Sequence, residues 1–310
     1  MDSGEALLNE IVAQPDDDGP RIVYADWLLA HSQDPEDHAR AELIHTQCGI
    51  AKAHPSEVPT LQARARDILK KHKRRWVAKL TEANIRGNWE FRRGFLDAGT
   101  LSASRFVAVA PQLFELAPML RAMVFPQASN ELVALAGCTY LARLDEIDLH
   151  EMCNCGRCKI ELELPVFFSS SHVGKVRSLV LSACRIDSDN ARRLFESRLL
   201  DTIRDLDLHD NKIDGGGLAP LANRPATFRR LVLANNPLGD AGARLLATCP
   251  ELAVEELDLS ECNIGQDGAA ALAAAPWGDG IVRLVLINNP IGKGPPRAAL
   301  RERFGNRLEL

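Results

Sequence analysis

The stretch IRDLDLHDNKI, residues 203–213, decides the fold. Leu206 and Leu208 alternate with polar residues, the period of a strand with one buried face. Asn211 follows where its side chain can bond the backbone of the next turn, replacing ladder bonds lost as the chain leaves the strand. The same template recurs in VRSLVLSACRI from Val176, FRRLVLANNPL from Phe228, VEELDLSECNI from Val254 and IVRLVLINNPI from Ile281. Its polar column is held by Cys184, Asn211, Asn236, Cys262 and Asn289, at spacings of 27, 25, 26 and 27 residues. Cysteine fills that slot as a small buried group. Looser copies begin at Leu144, with Met152 in the column, and at Leu120, with Ala128.

After each turn comes a helical signal. LGDAGARLLATC from Leu238 and IGQDGAAALAAA from Ile264 carry Gly and Asp at the turn, then Ala and Leu at helical spacing. A unit of strand, turn and helix cannot bury its apolar face alone, so neighbours must stack. The pattern resembles the leucine-rich repeat in its ribonuclease-inhibitor-like form over roughly residues 115–310. The resemblance implies an α/β leucine-rich-repeat solenoid with a parallel concave sheet. The terminal NRLEL, from Asn306, reads as a closing strand.

The first 85 residues have a different texture. Leu7, Leu8, Ile11 and Val12 make an amphipathic stripe that ends at the turn PDDDGP, and a second helix carries Val23, Trp27 and Leu28. Further helices are predicted over about 38–53 and 57–80. The run LLNEIVAQPDDDGPRIVYADWLLAH, with ARAELIHTQ after it, resembles the bacterial repeat-companion domain, a helical module that accompanies leucine-rich repeats. The matching elements are Pro15 to Asp18, Arg21 to Leu28 and Glu42 to Ile44, with Ile22 where leucine is common. FRRGFLDAGTL from Phe91 is similar to that family's bridging strand. The expected organisation is a helical module at 1–85 and a repeat region at 86–310, opened by a bridging strand and closed by a C-terminal one. The family resemblance implies no enzymatic activity.

Composition sets the outer bounds. The 310 residues are 46% hydrophobic and 25% charged, which excludes a disordered or collagenous chain, and no run approaches the length of a membrane span. A net charge of -5 argues against whole-protein affinity for nucleic acid or anionic membrane. With no apolar leader segment visible, a cytoplasmic location is expected, where the eight cysteines are thiols or metal ligands.

The sharpest local anomaly is His150-Glu-Met-Cys153-Asn-Cys155-Gly-Arg-Cys158. From Met152 to Cys184 is 32 positions against 25–27 elsewhere, so the segment holds an insertion. Cys155 and Cys158 have the spacing of a turn that offers two thiolates to zinc, with Cys153 and either His150 or His172 completing a tetrahedron. Reduced surface thiols, or a Cys153–Cys158 disulfide under oxidation, would explain the same residues. If zinc or thiol oxidation acts here, the expected role is regulatory, reshaping one edge of the repeats.

The outward columns of the repeat strands are the other candidate. Between the template leucines stand Asp148, Val180, Asp207, Val232, Asp258 and Val285; two places earlier stand Glu146, Ser178, Asp205, Arg230, Glu256 and Arg283. Neighbouring strands lie about 5 Å apart, so these charges are near one another. One reading is mutual neutralisation, Arg230 and Arg283 balancing their acidic neighbours; the other is a mixed-charge surface for a protein partner, formed by Asp148, Asp205, Asp207, His209, Arg230, Glu256, Asp258 and Arg283. Partner binding is the expected function, without catalysis.

Three further patterns weigh less. Ser182, His209 and Asp207 could form a Ser-His-acid trio, but no oxyanion hole is identifiable. Lys70, Lys71, Lys73, Arg74 and Arg75 beside Trp76 could meet nucleic acid. However, residues 1–50 carry eleven acidic groups and residues 51–80 nine basic ones, which suggests that the basic helix lies near the acidic ones or is simply a solvated face. His38, Glu42 and His45 share one helical face and could in principle ligate a metal ion, although histidines on a partly exposed helix are more often surface residues.

Overall fold

The computed structural model describes residues 3–150 and 159–310, which form a mixed α/β protein with thirteen α-helices and ten strands. The chain divides into two compact units, residues 1–101 with 109–122, and residues 102–108 with 123–310. Among the described residues no helix is long and apolar enough to cross a membrane.

The first unit holds helices α1 (Ser3–Ala13), α2 (Gly19–His31), α3 (Pro35–Ile50), α4 (Val58–Trp76) and α5 (Ala78–Glu82), then strands β1 (Asn88–Arg92) and β2 (Phe95–Thr100). Pro20 opens α2 and Pro35 opens α3, where a missing amide costs nothing, and the Asp34 carboxylate takes the Glu36 amide at 2.9 Å. The helices close over Ile11, Ala25, Leu28, Ile44, Cys48 and Phe95. The PDDDGP turn gathers arginines: Arg21, 2% exposed, donates to the Asp17 carbonyl at 2.7 Å, and Arg121 meets Asp16 at 2.9 Å.

Where the sequence suggested one bridging strand, the structure has a hairpin. Arg93 and Gly94 both take positive φ, 49° and 86°, the two-residue turn whose twist suits antiparallel strands. Gly94 is also a contact point, because a Cβ there would stand 2.1 Å from Ile44 Cγ1. Gln47 of α3 holds the tip, taking the Gly94 amide at 2.7 Å and donating to the Phe91 carbonyl at 2.9 Å.

After α6 (Ala103–Leu116), the second unit's elements run β3 (Ala122–Val124), α7 (Leu132–Ala136), β4 (Glu146–Asp148), α8 (Ile160–Phe168), β5 (Ser178–Val180), α9 (Ser188–Glu196), α10 (Leu199–Thr202) and β6 (Asp205–Asp207). Then come β7 (Ala226–Val232), α11 (Gly239–Thr248), β8 (Leu252–Asp258), α12 (Gln266–Ala273), β9 (Arg283–Val285), α13 (Pro295–Phe304) and β10 (Leu308–Glu309). Strands β4 to β10 pair in chain order and every pair is parallel. The register puts Leu179, Leu206, Leu231, Leu257 and Leu284 in one row, and each is at most 1% exposed. Between β6 and β7 the helical position holds a 3₁₀ segment, Gly215–Ala222, because three glycines and Pro220 disfavour an α-helix.

The polar column ties each unit to the one before it. Asn211 donates to the carbonyls of Leu181 and Leu208, both at 2.9 Å, and its oxygen takes the Ile186 amide at 2.9 Å. Asn236 does the same with Leu208, Leu233 and the Ile213 amide, and Asn289 with Leu259, Leu286 and the Ile264 amide. Cys184 and Cys262 have no carboxamide oxygen and reproduce the donor half, their thiols reaching Leu149 and Leu233 carbonyls at 3.2 and 3.1 Å. A unit followed by Cys262 therefore needs another acceptor: the Leu238 amide turns back to the Asn236 carbonyl at 2.8 Å, across Pro237. Ile291 does likewise to Asn289 at 2.7 Å, across Pro290. Proline presets the φ such a tight turn requires.

The residue before the column is left-handed in every template copy, at Ala183, Asp210, Asn235, Glu261 and Asn288. In the two cysteine units the residue after it, Arg185 or Asn263, is left-handed as well. Capping also crosses units: the Asp240 carboxylate takes the amides of Gly265 and Gly268 at 2.6 and 2.9 Å, at the start of α12.

Candidate functional site

The outward columns are in register as the template spacing suggests. Glu146, Ser178, Asp205, Arg230, Glu256 and Arg283 lie side by side, and so do Asp148, Val180, Asp207, Val232, Asp258 and Val285. The acidic positions are partly exposed, Arg230 and Arg283 are exposed, and Val232 and Val285 are covered. This places the eight candidate face residues on one side of one sheet, with His209 just past β6.

The mutual neutralisation of these columns takes a different form from the one suggested by the sequence. Arg283 turns to Glu309 of β10, at 2.7 and 3.1 Å, and not to Glu256. Each partner favours the other's charged form, so the hydrogen bond raises the Arg283 pKa and lowers that of Glu309. Asp205 is paired by Arg229 at 2.6 Å, and this bond raises the Arg229 pKa. The other Asp205 oxygen is buried without a hydrogen-bond partner among the described residues. Arg230 and Glu256, adjacent in register, make no ion pair with any described residue.

Arg229 escaped the sequence reading because the strand entrance is bulged. The amides of Arg229 and Arg230 both donate to the Arg204 carbonyl, at 2.7 and 3.1 Å, which breaks strict alternation. The same doubled bond occurs at Arg177 with Ser178, onto Asp145, and at Arg204 with Asp205, onto Arg177. Exposed Arg177, Arg204 and Arg229 thus occupy equivalent places in three successive units. The repeated arginine just before the outer column was the available signal.

The aspartates of the inner column serve the backbone. Asp207 takes the His209 amide, Asp258 the Ser260 amide and Asp148 the His150 amide, each at 2.9 Å. Asp207 therefore bonds the main chain of His209, and no described residue orients that imidazole as a Ser182-His209-Asp207 trio would need. On this face an acid–imidazole contact does form between Asp148 and His150 Nδ1, at 2.7 Å.

Of the suggested zinc ligands, only His150 and the alternative His172 are described; Cys153, Cys155 and Cys158 lie outside the described residues. Among the described residues, no three His, Cys, Asp or Glu side chains are arranged to hold a metal ion. Cys48, Cys138, Cys184, Cys249 and Cys262 are free thiols. Cys138 is half-buried between α7 and the 3₁₀ turn Thr139–Arg143, and Cys249 caps the end of α11. Burial pushes the Cys48 and Cys262 thiols up to about 12 and Cys249 to about 11.

In the first unit His38, Glu42 and His45 do line one cleft, of about 700 Å³, with Arg64 and His72. Each has a local partner: His38 the Ser32 carbonyl at 2.7 Å, Glu42 Arg64 at 2.9 Å and His45 Asp26 at 3.0 Å. The basic helix α4 meets acidic α3 as its charge suggested, with His72 at 2.9 Å from Glu36 and Arg75 bonded to the same carboxylate.

No curated protein matches the chain. Residues 201–222, 225–247 and 254–273 match the family model of the leucine-rich repeat, so the chain contains three leucine-rich repeats over β6 to α12.

Proposed function

We propose that the strand–helix units of residues 86–310 form a leucine-rich-repeat solenoid of the ribonuclease-inhibitor-like kind, whose open sheet face binds a protein partner. In this reading the protein is a non-enzymatic cytoplasmic scaffold, and its N-terminal helices are the bacterial companion module. Leucine-rich repeats commonly mediate protein–protein interaction, and a rigid stack binds with little ordering cost. The observation that carries the reading is the neighbouring pair Arg230 and Glu256, two ionised groups in register that no described residue pairs. Charged groups held apart on a rigid surface are available to steer and orient a partner.

Crosslinking mass spectrometry in the native cell identifies the partner, and the purified pair is then measured with the double variant Arg230→Glu, Glu256→Arg. The expected result is at least about a tenfold loss of affinity with the melting temperature kept. An unchanged affinity overturns the assignment of this face.

A further inference from the structure

A second concavity, in the first unit, has the makings of a small-molecule site. It measures about 290 Å³ and is walled by Tyr24, Trp76, Phe91 and Phe95, with Arg40 in its lining and Lys79 contributing a second cation. The rings are mutually braced, Tyr24 with Phe95 at 5.9 Å and Trp76 with Phe91 at 5.6 Å between centroids. Arg40 lies over Trp76 at 4.1 Å and over Phe91 at 5.1 Å.

Arg40 is the anomaly. Its guanidinium makes one hydrogen bond, Nη1 to the Gly94 carbonyl at 2.8 Å, and no described carboxylate pairs with it. Burial lowers its pKa to about 10, and the nearby Tyr24, Asp37 and Glu36 offset only part of that cost. Desolvated charges in proteins are normally paired, and a planar guanidinium matches a carboxylate through two parallel N–H bonds. The Tyr24 hydroxyl, in the same wall, also has no hydrogen-bond partner among the described residues. The one acid in the lining, Asp37, already accepts the Ser32 hydroxyl at 2.6 Å.

We propose that this pocket binds a small free monocarboxylate carried on an aromatic body, the acid taken by Arg40 and Tyr24 and the ring held among Trp76, Phe91 and Phe95. The volume is near the lower end for ligand sites, which suits a single ring. A doubly charged phosphate would cost more to desolvate among these rings, and a cation would face Arg40 and Lys79.

Titration calorimetry of the full chain with hydrocinnamate tests the assignment, with hydrocinnamide as the uncharged control. Saturable one-site binding is expected at about millimolar or tighter, and the amide is expected to bind at least about tenfold more weakly. Arg40→Lys, which keeps the charge but loses the planar fork, reduces affinity about tenfold; Tyr24→Phe, which keeps the ring contact, reduces it about threefold. Since Arg40 also holds Gly94, Tyr24→Phe decides the matter if Arg40→Lys fails to fold. Absence of saturable binding, equal affinity for the amide, or an unchanged affinity in folded Tyr24→Phe overturns the proposal.

Discussion

The side chain of Asn211 completes a turn that belongs to another repeat, accepting the amide of Ile186 at 2.9 Å across 25 residues of sequence. Its amide group also holds one carbonyl from each unit, Leu181 and Leu208. Removing it leaves several buried backbone groups unpaired. Asn211→Ala should therefore cost about 3 kcal/mol in urea unfolding, and Asn211→Cys about half of that, since a thiol restores a donor but not the acceptor.

Ala183 carries a cost of the opposite kind. It sits at φ 57°, where its counterparts include Asp210, Asn235 and Asn288. Aspartate and asparagine tolerate the left-handed region better than alanine. Ala183→Asn should raise stability by about 0.5 kcal/mol, measured as a shift in the urea midpoint at unchanged slope.

The hairpin tip has no room for a side chain. Gly94 combines φ 86° with an approach of 2.9 Å, from its would-be Cβ to the Ile44 Cα, which cannot swing aside. Gly94→Ala should destabilise the protein by about 2 kcal/mol or more, and Gln47→Ala by about 1–2 kcal/mol through loss of both bonds to the tip. Differential scanning calorimetry resolves both.

The described thiols should alkylate in order of their ionisation and exposure. With thiols held up to about 12, Cys48 and Cys262 have only about one part in ten thousand as thiolate near pH 8, and they are buried. Of the five described cysteines, Cys138 should react first with iodoacetamide under native conditions, and peptide mass spectrometry reads the order directly.

Asp214 links stability to pH. The Ser188 hydrogen bond, with help from the Gly216 and Gly217 amides and Arg192, holds its carboxyl below the usual range. A depressed folded-state pKa stabilises above the unfolded value of about 3.9 and is lost as pH falls through the lower folded value. The stability gap between the parent protein and Asp214→Asn should therefore be present at about pH 7 and narrow as the pH falls through the folded value in urea titrations; a gap that stays constant with falling pH contradicts the linkage.

The repeats were legible in the sequence because they rest on two short periods: Leu-x-Leu fixes the buried face, and the column at Asn211 fixes the turn. Proline and glycine made the exception at Gly215–Ala222 readable in hindsight. What the sequence hid was register-breaking detail. The doubled amides at Arg229 and Arg230 turn a nominal spacer residue into the partner of Asp205, and Glu309 reaches Arg283 only because β10 adds a strand beside β9. The Arg40 pocket was invisible for a different reason. It draws on helices α1 to α5, the hairpin and residues 116–119, and no spacing along the chain brings those side chains together.

The alternation between Asn-Pro turns and borrowed carboxamides bears on how such a chain can grow or shrink. A repeat whose turn lacks proline is finished by its successor, so it cannot be copied, deleted or transplanted by itself. The workable exchange units are a repeat ending in its own Asn-Pro, such as the one around Asn236, or a run of repeats whose last member ends in Asn-Pro, such as the pair around Cys262 and Asn289. Gene duplication in this fold is thus constrained to cut points that leave no turn waiting for an oxygen atom from the wrong neighbour.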